Sequence, residues 1–371
     1  MIATVPPGQF FLPGPVEVHP EVLQALLHPM FQHRGPEMTA LFARVQGPLR
    51  ELFRTARPVI LSTSSATGLM EAAIVNGVRR RALAVVGGYF GERFALVGES
   101  CGREVDRLDV AEGEVVAPAR LAEAIDRLRS DAVLLVHCET GTGALAPLEE
   151  LAAVVRRFDD VMLLVDGVTS VGGSPVETDM WGLDFVFTGS QKALGLPPGL
   201  AFAASSERML ERARSIPDRG WYFDLVRHHE AAVHHAPTQT PAISLVCALE
   251  VQLARIAAAG GVEARWARHR TLREVVESWA ADRPEVRFLA APGERAWTLS
   301  ALRLDDRLDA VAVQQAMRAE GFVIGTGLEA WRHRLLRIGH MGDVEPGNLG
   351  RMLEVLAQVL QRGPGGFSDA P

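Results

Sequence analysis

Short, nearly continuous apolar runs alternate along this chain with amphipathic stretches, the pattern of βα units laid around a mainly parallel sheet. The apolar runs predict strands over residues 82–86, 132–138, 161–168, 185–188 and 200–204, and helical spacing predicts helices over 119–129 and 148–158. Runs that are apolar at every position imply strands covered on both faces, so the expected architecture is an α/β/α sandwich. A long helical region over 243–281 then precedes a change of texture. Strands are predicted over 286–290, 298–304, 322–324 and 335–338, with helices over 310–320 and 347–361, which reads as a smaller α+β domain. The expected division is a large domain over 21–258 and a small C-terminal domain over 259–371, preceded by a segment over 1–20. The tail RGPGGFSDAP is expected to fray.

Composition narrows the partners. With 371 residues and 48% hydrophobic content, the chain can bury cores for both domains. The formal charge of −7 offers no basic field for nucleic acid, and the arginines are mixed with acids, as in RRFDD and RLDDRLD. No apolar run approaches the ~20 residues of a membrane span, and the opening MIATVPPGQFFLPGP lacks the basic-then-apolar pattern of a signal peptide, so no membrane is expected. Cys101, Cys138 and Cys247 are far apart with no CxxC pair, which argues against a disulfide framework and a structural zinc site. A cytoplasmic protein with a small-molecule partner and no metal is the expectation.

One residue type is almost missing. Of the 38 basic residues 37 are arginine, and Lys192 is the sole lysine. A guanidinium stays protonated in proteins, whereas a desolvated ε-amine can lose its proton and attack a carbonyl. Lys192 is therefore a candidate nucleophilic lysine, against the alternative of a chance survivor on a surface helix.

In open parallel sheets ligands sit beyond the carboxyl ends of the strands, which directs attention to the residues just after each run. LSTSSATG, residues 61–68, follows a short apolar run and opens a helical stretch. Its small residues, hydroxyls and helix N-terminus suit a phosphate, although such a cluster also serves as an ordinary helix cap. VMLLVDGVTSVGG ends a strongly apolar run on Asp166, where an acid is costly unless it caps a helix or meets a cationic partner. FVFTGSQKALG then places Lys192 just past the next run, 26 residues beyond Asp166. An acid and a lysine on two strand ends form the pair that pyridoxal phosphate enzymes use, the lysine on the aldehyde and the acid on the ring nitrogen.

The motifs PGPVEVHPEVLQAL, HRGPEM, TSSATGLMEAAIVN, GGYFGER, HCETGTG, LVDGVTSVGG, TGSQKALG, TPAISL and RIGHMG follow one another over nearly the full chain. In this order they resemble the class V aminotransferases of pyridoxal phosphate fold type I, nearest the alanine–glyoxylate and serine–pyruvate branch. The resemblance implies an internal aldimine on Lys192, with Asp166 on the pyridine nitrogen. It places Ser65, Ala66, Thr67 and Gln191 on the phosphate, Phe90 and Val168 on the two ring faces, and Thr140 near the phenolic oxygen. Phe90 stands where this branch often has tryptophan. HHAPTQTPAISL matches a segment that reaches the phosphate of a neighbouring subunit, which implies a homodimer and leaves Gln239 and Thr240 as alternative contacts; Ala236 replaces the family's tyrosine. The 1–20 segment is implied to lie near the active site and the dimer interface.

Arg337, on the apolar run LLRIGHMG, matches the family's arginine for the substrate α-carboxylate; its residue pattern alone favours an ordinary structural ion pair. Gly14, in the PGP turn, is implied to help close the same pocket, and His33 to line its entrance. His234, His235 and His340 read as structural groups. The implied reaction moves the amino group of a small α-amino acid, alanine or serine, to glyoxylate or pyruvate. Phosphoserine or 2-aminoethylphosphonate would need further cations, for which Arg34, Arg332 and Arg334 are candidates. Class V lyases of the kynureninase and cysteine desulfurase types share the pocket. Desulfurases need a reactive cysteine in the last third, and here no cysteine follows Cys247.

Overall fold

The computed structural model describes residues 6–362, so residues 1–5 and the tail beyond Arg362 lie outside the described residues. Its strands run in chain order as β1 (Phe10–Phe11), β2 (Ile60–Ser62), β3 (Arg81–Val86), β4 (Glu104–Asp109), β5 (Ala132–Val136), β6 (Cys138–Glu139) and β7 (Ala144–Leu145). They continue as β8 (Met162–Asp166), β9 (Phe185–Gly189), β10 (Ala201–Ser205), β11 (Val286–Phe288), β12 (Leu299–Leu304), β13 (Val323–Thr326) and β14 (Leu335–Gly339). Among the described residues they form a seven-stranded sheet ordered β2-β10-β9-β8-β5-β3-β4, a five-stranded sheet ordered β1-β13-β14-β12-β11, and the ribbon β6-β7. In the large sheet β9, β8, β5, β3 and β4 are parallel, while β10 runs against both β9 and β2.

Alternate residues of each central strand enter different cores, as the period-2 geometry of a strand requires. On β5, Val133 and Leu135 join one buried cluster, and Ala132 and Leu134 join the other; on β8, Leu163 and Val165 divide from Met162 and Leu164 in the same way. Helices Pro36–Phe53, Pro118–Leu128, Leu148–Val155 and Ile243–Ala258 cover the first face. Helices Ala66–Gly77, Tyr89–Ser100 and Glu207–Ser215 cover the second. The result is the α/β/α sandwich that the continuous apolar runs predict.

Three differences from the sequence reading have local causes. The run over 132–138 leaves the sheet after Val136: the His137 N–H makes the last bond to β8, on the Asp166 carbonyl at 3.0 Å, while the His137 carbonyl accepts from the Ala146 N–H at 2.8 Å and Cys138 turns into the ribbon. The strand β4 (EVDRLD) went unpredicted because it lies at the open edge with only Leu108 buried, so its side chains carry no apolar run. The helical region over 243–281 is two helices bent by 79°, broken where Gly260 takes a left-handed φ of +101°.

The second of these helices, Gly261–Ala281, serves both units. Val262 and Trp266 pack in the large core, whereas Leu272, Val276 and Ala280 pack against the five-stranded sheet. The N-terminal segment joins them a second time, since β1 pairs in parallel with β13 before the chain crosses to the large sheet. Among the described residues no single helix is long and apolar enough to cross a membrane.

Candidate active site

The carboxyl ends of β2, β3, β5, β8 and β9 lead into one cavity of about 190 Å³. Of the residues singled out in the sequence, Ser65, Ala66, Thr67, Phe90, Thr140, Asp166, Val168, Gln191 and Lys192 line it. Parallel packing explains the convergence: β8 and β9 are neighbours with Asp166 opposite Phe187, so their following turns present Asp166 and Lys192 to the same space. Thr67 and Ala66 open helix Ala66–Gly77, whose N-cap Ser65 is extended and makes no capping bond through its side chain. The Gly68 N–H donates to the Ser65 carbonyl at 3.0 Å, which leaves the N–H groups of Ala66 and Thr67 for an anion.

Burial dominates the electrostatics. Lys192 is pulled down to about 8 by desolvation and by the positive field of Arg337, with Asp166 acting in the opposite direction. Its Nζ donates to the Pro13 carbonyl at 2.5 Å. Asp166 is pushed up to about 7 by burial, against the stabilising N–H of Val168 at 2.9 Å. A buried carboxylate with that single hydrogen bond is well matched to a cationic partner such as a protonated ring nitrogen. Lysine, acid and open helix start together form the donor set that fits pyridoxal phosphate.

Arg337, on β14, reaches the cavity-lining Thr140 from the five-stranded sheet. Its Nε donates to the Thr326 carbonyl at 2.7 Å and one Nη to the Thr140 carbonyl at 3.4 Å. It forms no salt bridge among the described residues; burial lowers the guanidinium, and Glu139 acts against that through its field. Gly14 lies against the lysine: with φ at +95°, a Cβ there would come within 2.4 Å of Lys192 Cδ. Only glycine allows the strap to approach so closely. Gln239 is half-buried and Thr240 exposed, and neither lines the cavity of its own chain. His340 is buried and bonded to Ser300 at 3.0 Å. Arg34, Arg332 and Arg334 are exposed outside the cavity.

The sequence reading missed Met70, Arg93, Val136, Cys138 and Thr169, which also line the cavity. Arg93 follows Phe90 by three residues on helix Tyr89–Ser100, so helical spacing was the available signal. Its guanidinium stacks on Phe90 at 4.9 Å and reaches the Tyr89 hydroxyl at 2.8 Å. Cys138 is buried, and that burial is the chief cause pushing its thiol up to about 12. Behind the wall lies Glu139, 5% exposed, which accepts N–H groups from Phe90, Gly91 and Gly141.

A lysine and an acid on adjacent strand ends of such a sandwich, with an arginine arriving from a second sheet, define a pyridoxal-phosphate-dependent aminotransferase of fold type I. The aminotransferase class-V family model matches residues 21–340, and the chain belongs to that family. An aminotransferase of Methanocaldococcus jannaschii is 33% identical over 337 residues, covering 89% of this chain and 87% of its own. The L-aspartate–glyoxylate aminotransferase of Paracoccus denitrificans is 31% identical, covering 90% and 86%. The solved structure of an alanine–glyoxylate aminotransferase from Nostoc sp. superposes with a TM-score of 0.90 at 31% identity, covering 97% of each chain.

Proposed function

We propose that this aminotransferase moves the amino group of a small α-amino acid, alanine or serine, to glyoxylate or pyruvate. The observation that carries the reading is Arg337, a half-buried cation that reaches the cavity-lining Thr140 and forms no salt bridge among the described residues, its acidic neighbour Glu139 being engaged by three backbone N–H groups. Glyoxylate in the names of the Nostoc and Paracoccus relatives supports the acceptor. The exposed positions of Arg34, Arg332 and Arg334 speak against a phosphorylated or phosphonate donor. Arg93, a second cation on the cavity wall, makes aspartate the donor to set beside alanine and serine.

Pyridoxal phosphate, when bound, supplies the electron sink for a carbanion at the substrate Cα. In this reading the first-turn amides of Ala66 and Thr67, with Ser65 and Gln191, hold its phosphate. Asp166 would keep the ring nitrogen protonated, Phe90 and Val168 would pack on the ring, and Thr140 would serve its phenolic oxygen. The Lys192 amine would hold the cofactor and, as a free amine, would accept and return the Cα proton. Its lowered pKa suits that task near neutral pH. Arg337 grips the α-carboxylate through two parallel bonds, and the Pro13–Gly14 strap excludes water. Incubating the loaded protein with alanine or serine is expected to bleach the cofactor's visible band, and glyoxylate to bring it back. A response confined to phosphoserine or 2-aminoethylphosphonate would reject the assignment.

The reading includes a large cofactor-binding domain over 21–258, a small domain over 259–371 and a 1–20 segment near the site and the interface, in a cytoplasmic homodimer. Gln239 and Thr240, placed outside their own cavity, are the residues that would reach a partner's phosphate. Exposed Leu27 and Met30, 73% and 66% accessible, fit a face that a second copy covers. Sedimentation of the loaded protein is expected to give a dimer; an active monomer would exclude composite sites.

A further inference from the structure

We infer that Glu139 is a positioning residue that sets the spacing between two walls of the cofactor cavity. Helix Tyr89–Ser100 starts at Gly88, which has no side chain with which to cap it. The missing acceptor comes from across the fold: one oxygen of Glu139 takes the N–H groups of Phe90 at 2.9 Å and Gly91 at 3.1 Å. Its other oxygen takes the N–H of Gly141 at 2.9 Å. A single carboxylate thus ties the Phe90 wall to the Thr140–Gly141 wall, and both Phe90 and Thr140 line the cavity. Burial pushes the Glu139 carboxyl up, and the strong charge-assisted bonds of the three N–H groups, the positive end of the helix dipole and the field of Arg337 act against that push.

The surroundings leave the acid little freedom. Glu139 is 5% exposed and belongs to β6, which is pinned by pairing with β7. A Cβ on Gly88 would come within 2.7 Å of Glu139 Cγ, so the glycine is what lets the acid reach the helix start. An amide in place of the carboxylate could satisfy one wall only, since its NH₂ would face the N–H groups of the other. The inference rests on the cavity being the pyridoxal phosphate site, and its test separates the two ideas.

The experiment compares wild type with Glu139→Gln by amide hydrogen exchange without cofactor, then by pyridoxal phosphate titration followed through circular dichroism of the visible band. Exchange around Phe90–Gly91 or Gly141 is expected to quicken by about tenfold or more, with the rest of the large sheet unchanged, the worth of one charge-assisted bond. The cofactor dissociation constant is expected to rise by about tenfold and the induced band to weaken. Wild-type exchange with wild-type affinity would overturn the role. Faster exchange with unaltered affinity and band would make Glu139 a helix cap only, which also overturns it. Failure of the wild type to bind pyridoxal phosphate would instead reject the underlying site. Should Glu139→Gln not fold, Glu139→Asp, which keeps the charge but loses reach, is judged by the same outcomes.

Discussion

Asp166→Asn is expected to lower turnover by about a hundredfold to a thousandfold while making the cofactor-free protein more stable at neutral pH. The two effects share one cause. A buried carboxylate is needed to keep a ring nitrogen protonated, and an amide cannot supply that charge. Without the cofactor the Val168 N–H and the fields of Lys192 and Arg93 compensate its burial only in part, which is why it is pushed from 3.8 up to about 7. The sign follows from proton linkage. With its folded pKa raised, Asp166 keeps its full contribution below about pH 4 and loses it as the pH climbs to about 7. Asparagine has no such loss, so the variant's advantage opens across that window and then holds at about 2 to 4 kcal/mol. Lys192 behaves oppositely: its lowered value means stability is lost as the pH falls from 10.5 toward 8, and losing the Asp166 charge lowers it further, a change confined to the alkaline side of the Asp166 window. Melting curves of the cofactor-free proteins from about pH 4 to about pH 9, beside steady-state rates, check both halves. Near-normal turnover, or stability curves that stay parallel through the window, would show that Asp166 does not have this role.

That trade of stability for chemistry bears on what the sequence could reveal. Central strands are covered on both faces, so they read as unbroken apolar runs, and the residues ending those runs stand out. Asp166 was visible for that reason, and Lys192 because arginine has displaced lysine everywhere else. Residues whose role depends on a helix face or on a second wall were not visible. Arg93 looks like one arginine among many, and Glu139 gains its meaning only from the amides of Phe90 and Gly91, nearly fifty residues away. The edge strand β4 escaped for a different reason, since a strand with one buried side chain has no apolar signature to read. Arg337 illustrates the middle case. Its position on an apolar run suggested an inward guanidinium, but only the folded chain shows that its partners are the carbonyls of Thr326 and Thr140 rather than an acid.

Arg337→Lys is therefore expected to weaken carboxylate substrates sharply, by about thirtyfold to a thousandfold in kcat/KM, the equivalent of about 2 to 4 kcal/mol. The guanidinium is already oriented by two backbone carbonyls, so its remaining N–H groups are presented as a planar fork. An ammonium has neither the fork nor the reach to keep the Thr326 contact while binding a carboxylate. Removing Arg337 also removes a positive field that lowers the Lys192 amine, but lysine restores most of that charge, so the cofactor's visible band should survive. An amine substrate without a carboxylate should lose far less than alanine does. Equal losses toward both, or an unfolded variant, would mean that Arg337 chiefly ties β14 to β13 and to the Thr140 turn, and the substrate grip would have to be sought at Arg93 instead.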